Sequence, residues 1–260
     1  MPSSLRQFAV LPSPDRPLVA GVWSGSALSH PGASTFASAH PTLDIHLPGG
    51  GWPLGALTEV VHPACQGVEW QLVLPALGAL LAQRSGAVVL IQPPYEPCGA
   101  ALQAHHVPPQ RICQVLAEDG KQLLWATEQA LHCRDVCAIL AWLPQVEAAQ
   151  LRRLQVAASE RSTLLWVFRP EEERVRPSPA ALRLLVQSAG FPSAPALEVQ
   201  ILKRRGPPID KTLRLPVVQS HWAEVLQTVL PVETQGRRGQ ENDAWASGEP
   251  VRTLLRLVRP

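Results

Sequence analysis

Leu57 to Gln92 reads LTEVVHPACQGVEWQLVLPALGALLAQRSGAVVLIQ, and the fold turns on how this run divides. Its opening is a short β-rich segment, its centre has the length of a helix, and its end, GAVVLIQ, is again a strand. Between the first strand and the helix stand eight residues, HPACQGVE, at positions 62 to 69. Chains that bind nucleotides by a strand, loop and helix carry GxxxxGK[ST] at this place. Glycine amides there face the phosphates, the lysine offsets their charge and the hydroxyl reaches Mg²⁺. Here the first glycine position is His62, Gly67 survives, the lysine position is Val68 and the hydroxyl position is Glu69. An apolar group in place of a cation, followed by a carboxylate, is hostile to a triphosphate. Repulsion between like charges costs on the order of 1 to 4 kcal/mol at 4 Å.

Outward from this run, short β-rich stretches alternate with helical patterns. Strands are predicted at 56 to 61, 86 to 92, 111 to 116, 136 to 142 and 162 to 168, with helices at 67 to 83, 97 to 105, 120 to 132 and 145 to 160. Near-continuous apolar strands separated by helices imply a mainly parallel sheet covered on both faces, hence an α/β domain. A further helix is expected at 179 to 188. ALEVQILKRRG and KTLRLPVV, joined by the turn GPPID, read as an antiparallel hairpin that closes the sheet or forms an arm.

Three regions follow from these patterns: an irregular arm at 1 to 40, the α/β domain at 41 to 216, and a tail at 217 to 260. The tail holds a helix with Trp222 on its apolar face, a polar linker, and the ending VRTLLRLVRP. In that ending Val251, Leu254, Leu255 and Val258 fall at i, i+3, i+4 and i+7, opposite Arg252, Arg256 and Arg259. A helix so short is marginal alone in water and must dock on something.

The 260 residues suffice for one substantial core and appendages, and 46% hydrophobic with 17% charged residues is the balance of a folded chain. A net charge of +2 gives no general drive toward nucleic acid or an anionic membrane. The local basic cluster is Lys203, Arg204 and Arg205 with Lys211, either an edge that discourages aggregation or a surface for DNA or an acidic partner. Trp125, Trp142 and Trp166 lie in predicted core elements, whereas Trp222 and Trp245 are the candidates for partner contact.

Five cysteines, Cys65, Cys98, Cys113, Cys133 and Cys137, show no CxxC spacing and read as reduced thiols. His132, Cys133 and Cys137 could share a helix turn but lack a fourth ligand, so no metal is expected. The opening has no apolar core of signal-peptide length. The run from Val68 to Ile91 is interrupted by Glu69, Pro75 and Arg84, so a cytoplasmic location is expected.

The order of elements resembles the RecA-type recombinase core over roughly residues 42 to 215. LDIHLPGGGWPLGALTEVVHPACQG is similar to the segment leading into the RecA P-loop, STLLWVF to the strand before its second DNA-binding loop, and VQILKRRGPP to its hairpin. Within that superfamily the phrase LDIHLPGGGWPLGALTE most resembles the ImuA family of bacterial mutagenesis cassettes, which is similar in turn to the division inhibitor SulA.

The resemblance implies an acidic residue after the second strand, where Pro94 stands with Glu96 nearby, and a magnesium-linked aspartate where Ala141 stands. It therefore implies a RecA-like domain without ATPase chemistry and without a nucleotide cofactor. The loops that hold DNA in RecA correspond to LPQVEAAQ and to RPEEERVRPSP, read here as a solvated charged loop, so DNA contact is expected to be indirect or weak. The implied function is that of an adaptor in SOS-induced, error-prone translesion synthesis. Its implied partners are ImuB, a Y-family polymerase homologue, and an error-prone C-family polymerase, with RecA as a further candidate. The alternative is a SulA-like inhibitor that binds FtsZ.

Overall fold

Ala56–His62 (β3) is buried along its whole length, as a strand at the centre of a two-faced sheet must be. In the computed structural model, which describes residues 34–63, 67–117, 119–189 and 196–217, it is preceded by a small ribbon and one helical turn. These are Thr35–Phe36 (β1), Pro41–Asp44 (α1) and Trp52–Pro53 (β2), with β1 antiparallel to β2. After β3 come Val68–Gln83 (α2), Ala87–Ile91 (β4), Gly99–Ala104 (α3), Ile112–Val115 (β5), Gly120–His132 (α4), Val136–Trp142 (β6), Ala148–Ser159 (α5) and Leu164–Pro170 (β7). Leu182–Ala189 (β8), Ala196–Lys203 (β9) and Thr212–Pro216 (β10) complete the described chain.

The main sheet has eight strands in the order β10-β9-β8-β3-β7-β6-β4-β5. Every pairing from β5 across to β8 is parallel, while β8–β9 and β9–β10 are antiparallel. This is the α/β architecture expected from the sequence: a mainly parallel sheet, flanked by helices and closed by a hairpin that belongs to the sheet. The helical tail of that expectation lies outside the described residues.

Alternation along the strands distributes the core between two faces. Leu164, Trp166 and Phe168 of β7 join the cluster under α1, α2 and α3, whereas Leu165 and Val167 join the cluster under α4 and α5. In β6, Leu140 and Trp142 face the first layer while Ile139 and Ala141 face the second. Trp52 meets Trp166 edge-to-face at 5.7 Å and thereby fastens the N-terminal ribbon onto the sheet.

Local chemistry sets the element ends. Gly67 takes a left-handed φ of 62° just before α2, a conformation glycine adopts without steric cost. Pro75 lies inside α2 and removes one amide. The helix continues past it, and Gln71, whose carbonyl loses that partner, is exposed. Beyond α2, the Arg111 guanidinium donates to the carbonyls of Leu81 at 2.6 Å, Arg84 at 2.6 Å and Gly86 at 2.7 Å, which fixes the α2–β4 connection. Asp119 caps α4 by accepting from the Gln122 amide at 2.8 Å, and Glu147 with Gln150 forms a capping box on α5.

Two expectations are corrected and a third is refined. Residues expected to form a helix at 179 to 188 form β8 instead, because Leu182, Leu184 and Val186 alternate onto the α2 face and β3 and β9 satisfy the backbone on both sides. Trp125 is 63% exposed, since α4 buries Leu124, Thr127 and Leu131 on its other side. The triple-glutamate loop is largely exposed, as expected, but two of its glutamates are tied down. Glu171–Val175 forms a 3₁₀ turn in which Glu173 reaches the buried Arg169 at 2.7 Å and Glu171 accepts from Gln187 at 3.2 Å.

Candidate functional site

The carboxyl ends of parallel strands are where α/β sheets form ligand crevices. Here the ends of β3, β4, β6 and β7 enclose a cleft of about 280 Å³. His62 closes β3, and Glu69, the second residue of α2, lies beside it with its carboxylate Oε2 at 3.9 Å from His62 Nδ1. His62 Nδ1 is also 2.9 Å from the carbonyl of Pro63, to which it donates. Trp142 and Phe168 are register partners across β6 and β7, so their rings meet at 4.8 Å. Trp70 extends the stack on one side at 5.6 Å from Trp142, and His62 on the other at 6.1 Å from Phe168. Gln92, Pro94, Tyr95, Pro144 and Pro170 complete the walls.

Two features mark this cleft as more than a packing seam. Glu69 is only 2% exposed, yet its Oε2 has no hydrogen-bond partner; the indole nitrogen of Trp142 has none either, a trait it shares with Trp52 and Trp166 of the core. Gln92 adopts a φ of 52°, unusual for a residue other than glycine, and its side chain is held by accepting from the Ala117 amide at 3.0 Å. Unpaired buried polar atoms and a strained backbone cost stability and cluster where ligands bind.

The structure brings His62, Gly67 and Glu69 to one juncture, but not Val68 and Ala141. Val68 is fully buried in the core under α2, and Ala141 is fully buried on the opposite face of the sheet, against α4 and α5. The β6 side chain that enters the cleft is Trp142. Pro94 lines the wall, whereas Glu96 is exposed and outside it. The sequence reading took Trp142 for core alone. Its position at the carboxyl end of β6, opposite Phe168 of β7, was the available signal.

No protein-family model matches the chain. Over 121 residues it is 29% identical to the cell division inhibitor SulA of Edwardsiella piscicida, a stretch covering 46% of this chain and 71% of that protein. Over 157 residues it is 30% identical to protein ImuA from two strains of Caulobacter vibrioides, covering 58% of this chain and 63% of ImuA. The chain is a distant relative of ImuA and SulA. The aligned stretch spans less than two thirds of the length of ImuA.

In this ImuA- and SulA-related chain Lys203 and Arg204 line one cleft together with Asp210. Lys203 Nζ donates to the Ser178 carbonyl at 2.7 Å, and its pKa is lowered, first by burial and then by the nearby Arg183. Arg204 donates to the carbonyls of His46 at 2.6 Å and Pro207 at 2.8 Å, tying the hairpin to the end of α1. Arg205 lines a separate small cleft with Thr35 and Gly55, and Lys211 is exposed. Two of the four cations are therefore engaged in holding the fold.

His132, Cys133 and Cys137 diverge. His132 lies 3.5 Å from Glu160, Cys133 is exposed, and buried Cys137 donates to the Ala87 carbonyl at 3.3 Å. Among the described residues no three metal-ligating side chains converge, and no helix is long and apolar enough to cross a membrane. Trp222, Trp245, Val251, Leu254, Leu255 and Val258 lie outside the described residues.

Proposed function

We propose that this chain is a non-catalytic, RecA-like adaptor of the ImuA type that serves error-prone translesion synthesis after DNA damage. The similarity to ImuA supports this, because it extends over 58% of the chain against 46% for SulA. The observation that carries the non-catalytic part is the composition of the cleft. Where a phosphate cradle would present a lysine, Val68 is sealed in the core, Glu69 adds a carboxylate, and Trp142 and Phe168 fill the space beside it. At the proposed magnesium position, Ala141 offers no ligand and faces away.

In this reading the domain docks partners: an ImuB-like Y-family polymerase homologue and an error-prone C-family DNA polymerase, with RecA as a further contact and DNA approached indirectly. The work takes place in the bacterial cytoplasm, at the nucleoid when the protein is recruited to damage. The apolar stripe of Val251, Leu254, Leu255 and Val258, with Trp222 before the linker, supplies an amphipathic ligand for a groove on a partner. Lys203, Arg204, Arg205 and Lys211 form a secondary basic contact, weakened by the internal bonds of the first two.

The test is calorimetric titration of the full chain into the ImuB homologue beside a form lacking residues 250 to 260. Tight binding lost on truncation is the expected result, and unchanged binding removes the tail from the mechanism. The second reading is a SulA-type inhibitor that binds FtsZ, favoured by the 71% of SulA that the chain matches. Absence of ImuB binding, together with arrest of FtsZ assembly, would replace the first reading with it.

A further inference from the structure

The cleft that excludes phosphate has the chemistry of a cation site. Glu69 is buried and lines the cleft, and one carboxylate oxygen lacks a hydrogen-bond partner. The walls beside it include Trp142 and Phe168, 7% and 1% exposed and packed on each other, and Tyr95, 59% exposed at the mouth. A carboxylate under aromatic walls attracts a cation through both its charge and the ring quadrupoles. Arg169 also borders the cleft; its two terminal nitrogens are held by Glu59 at 3.0 Å, Glu173 at 2.7 Å and the Val146 carbonyl at 2.7 Å, which balances its charge within that cluster, while its buried Nε has no hydrogen-bond partner. At about 280 Å³ the space lies below the roughly 300–1,000 Å³ of small-molecule sites, which suits one long side chain rather than a nucleotide.

The geometry points to this cleft as a receptor for an arginine side chain of a partner protein, the guanidinium paired with Glu69 between Trp142 and the exposed ring of Tyr95. Arginine rather than lysine fits, because the guanidinium is planar, weakly hydrated and stacks on aromatic faces. The strained turn at Gln92 holds the wall in place before the ligand arrives. The assignment concerns the domain's own cleft and stands whether the chain serves as an ImuA-type adaptor or a SulA-type inhibitor.

The full chain is titrated with acetyl-Leu-Arg-Leu-amide, with the isosteric citrulline peptide and with arginine amide, by calorimetry and tryptophan fluorescence. The arginine peptide is expected to bind about tenfold tighter than the citrulline peptide. Glu69→Gln is expected to remove that difference. Equal affinity for the two peptides, no binding of either at millimolar concentration, or tighter binding of Mg-ATP overturns the assignment. Arginine amide binding as tightly as the tripeptide would make the ligand a free guanidinium compound and overturn the protein-partner assignment. Should Glu69→Gln fail to fold by circular dichroism, Tyr95→Ala, at the exposed mouth, decides the matter. It is expected to weaken the arginine peptide severalfold while circular dichroism shows a folded chain, and unchanged affinity overturns the proposal.

Discussion

Glu59 of β3 and Arg183 of β8 are register partners across a parallel strand pair, with Arg183 Nε 3.1 Å from Glu59 Oε2 and both side chains buried. Arg169 at the end of β7 joins them at 3.0 Å, and Arg183 also donates to the Arg174 and Arg176 carbonyls at 3.0 and 2.7 Å. One carboxylate thus holds two arginines and, through them, the turn that follows β7. Removing one partner of a buried pair leaves an uncompensated charge, which costs about 3–5 kcal/mol. Glu59→Leu should lower the urea-unfolding free energy by about that amount. Replacing Glu59, Arg169 and Arg183 together with apolar residues of similar volume should cost less than Glu59→Leu, since Glu173, which loses Arg169, keeps Arg176 at 3.1 Å.

Placing a lysine and a hydroxyl at 68 and 69 should not create a phosphate site. Val68 is fully buried, and an ammonium there is desolvated by an amount equivalent to roughly 3 pKa units, or about 4 kcal/mol. Val68→Lys with Glu69→Ser should therefore lose stability in chemical denaturation and show no Mg-ATP binding in calorimetry.

Gly78 lies in the middle of α2, where alanine ordinarily improves helix stability. A Cβ at this position would meet the His105 carbonyl oxygen, and the obstacle is backbone at the end of α3, not a flexible side chain. Gly78→Ala should destabilise the fold by about 1–3 kcal/mol, the range of overpacked cores. A higher melting temperature would contradict the close approach of these two helices.

His40 is buried, and burial holds its pKa below the ordinary 6.5 despite opposing effects from its 3.1 Å contact with the Leu72 carbonyl and from Asp44. The unfolded chain therefore binds the proton more readily. Stability is complete above pH 6.5 and falls as the pH drops from there toward the folded pKa. His105 is lowered in the same direction, by burial and by His106. Urea melts between pH 7 and 5 should show declining stability, with a shallower decline in His40→Gln.

The two covered faces of the sheet were legible because strands apolar at nearly every position, as in Leu164 to Phe168, separated by helices, need only local sequence to be read. The helix from Gly120 to His132 and the strand from Val136 to Trp142 were readable to the residue for the same reason. Leu182–Ala189 was misread because its leucines, arginine and glutamine have good helix propensity, and only pairing with β3 and β9 overrides it.

By itself, the sequence determined the α/β class, the parallel order of strands and helices, and the apolar and acidic residues at 68 and 69, since these follow from local pattern and residue type. Only the tertiary structure decided that Trp142 rather than Ala141 enters the cleft, that Glu69 lines it with an unpaired oxygen, and that Glu59 binds Arg169 and Arg183. The reason is physical: which side of a strand faces a cleft depends on register, and a charge network spanning more than a hundred residues of chain exists only once strands distant in sequence lie side by side.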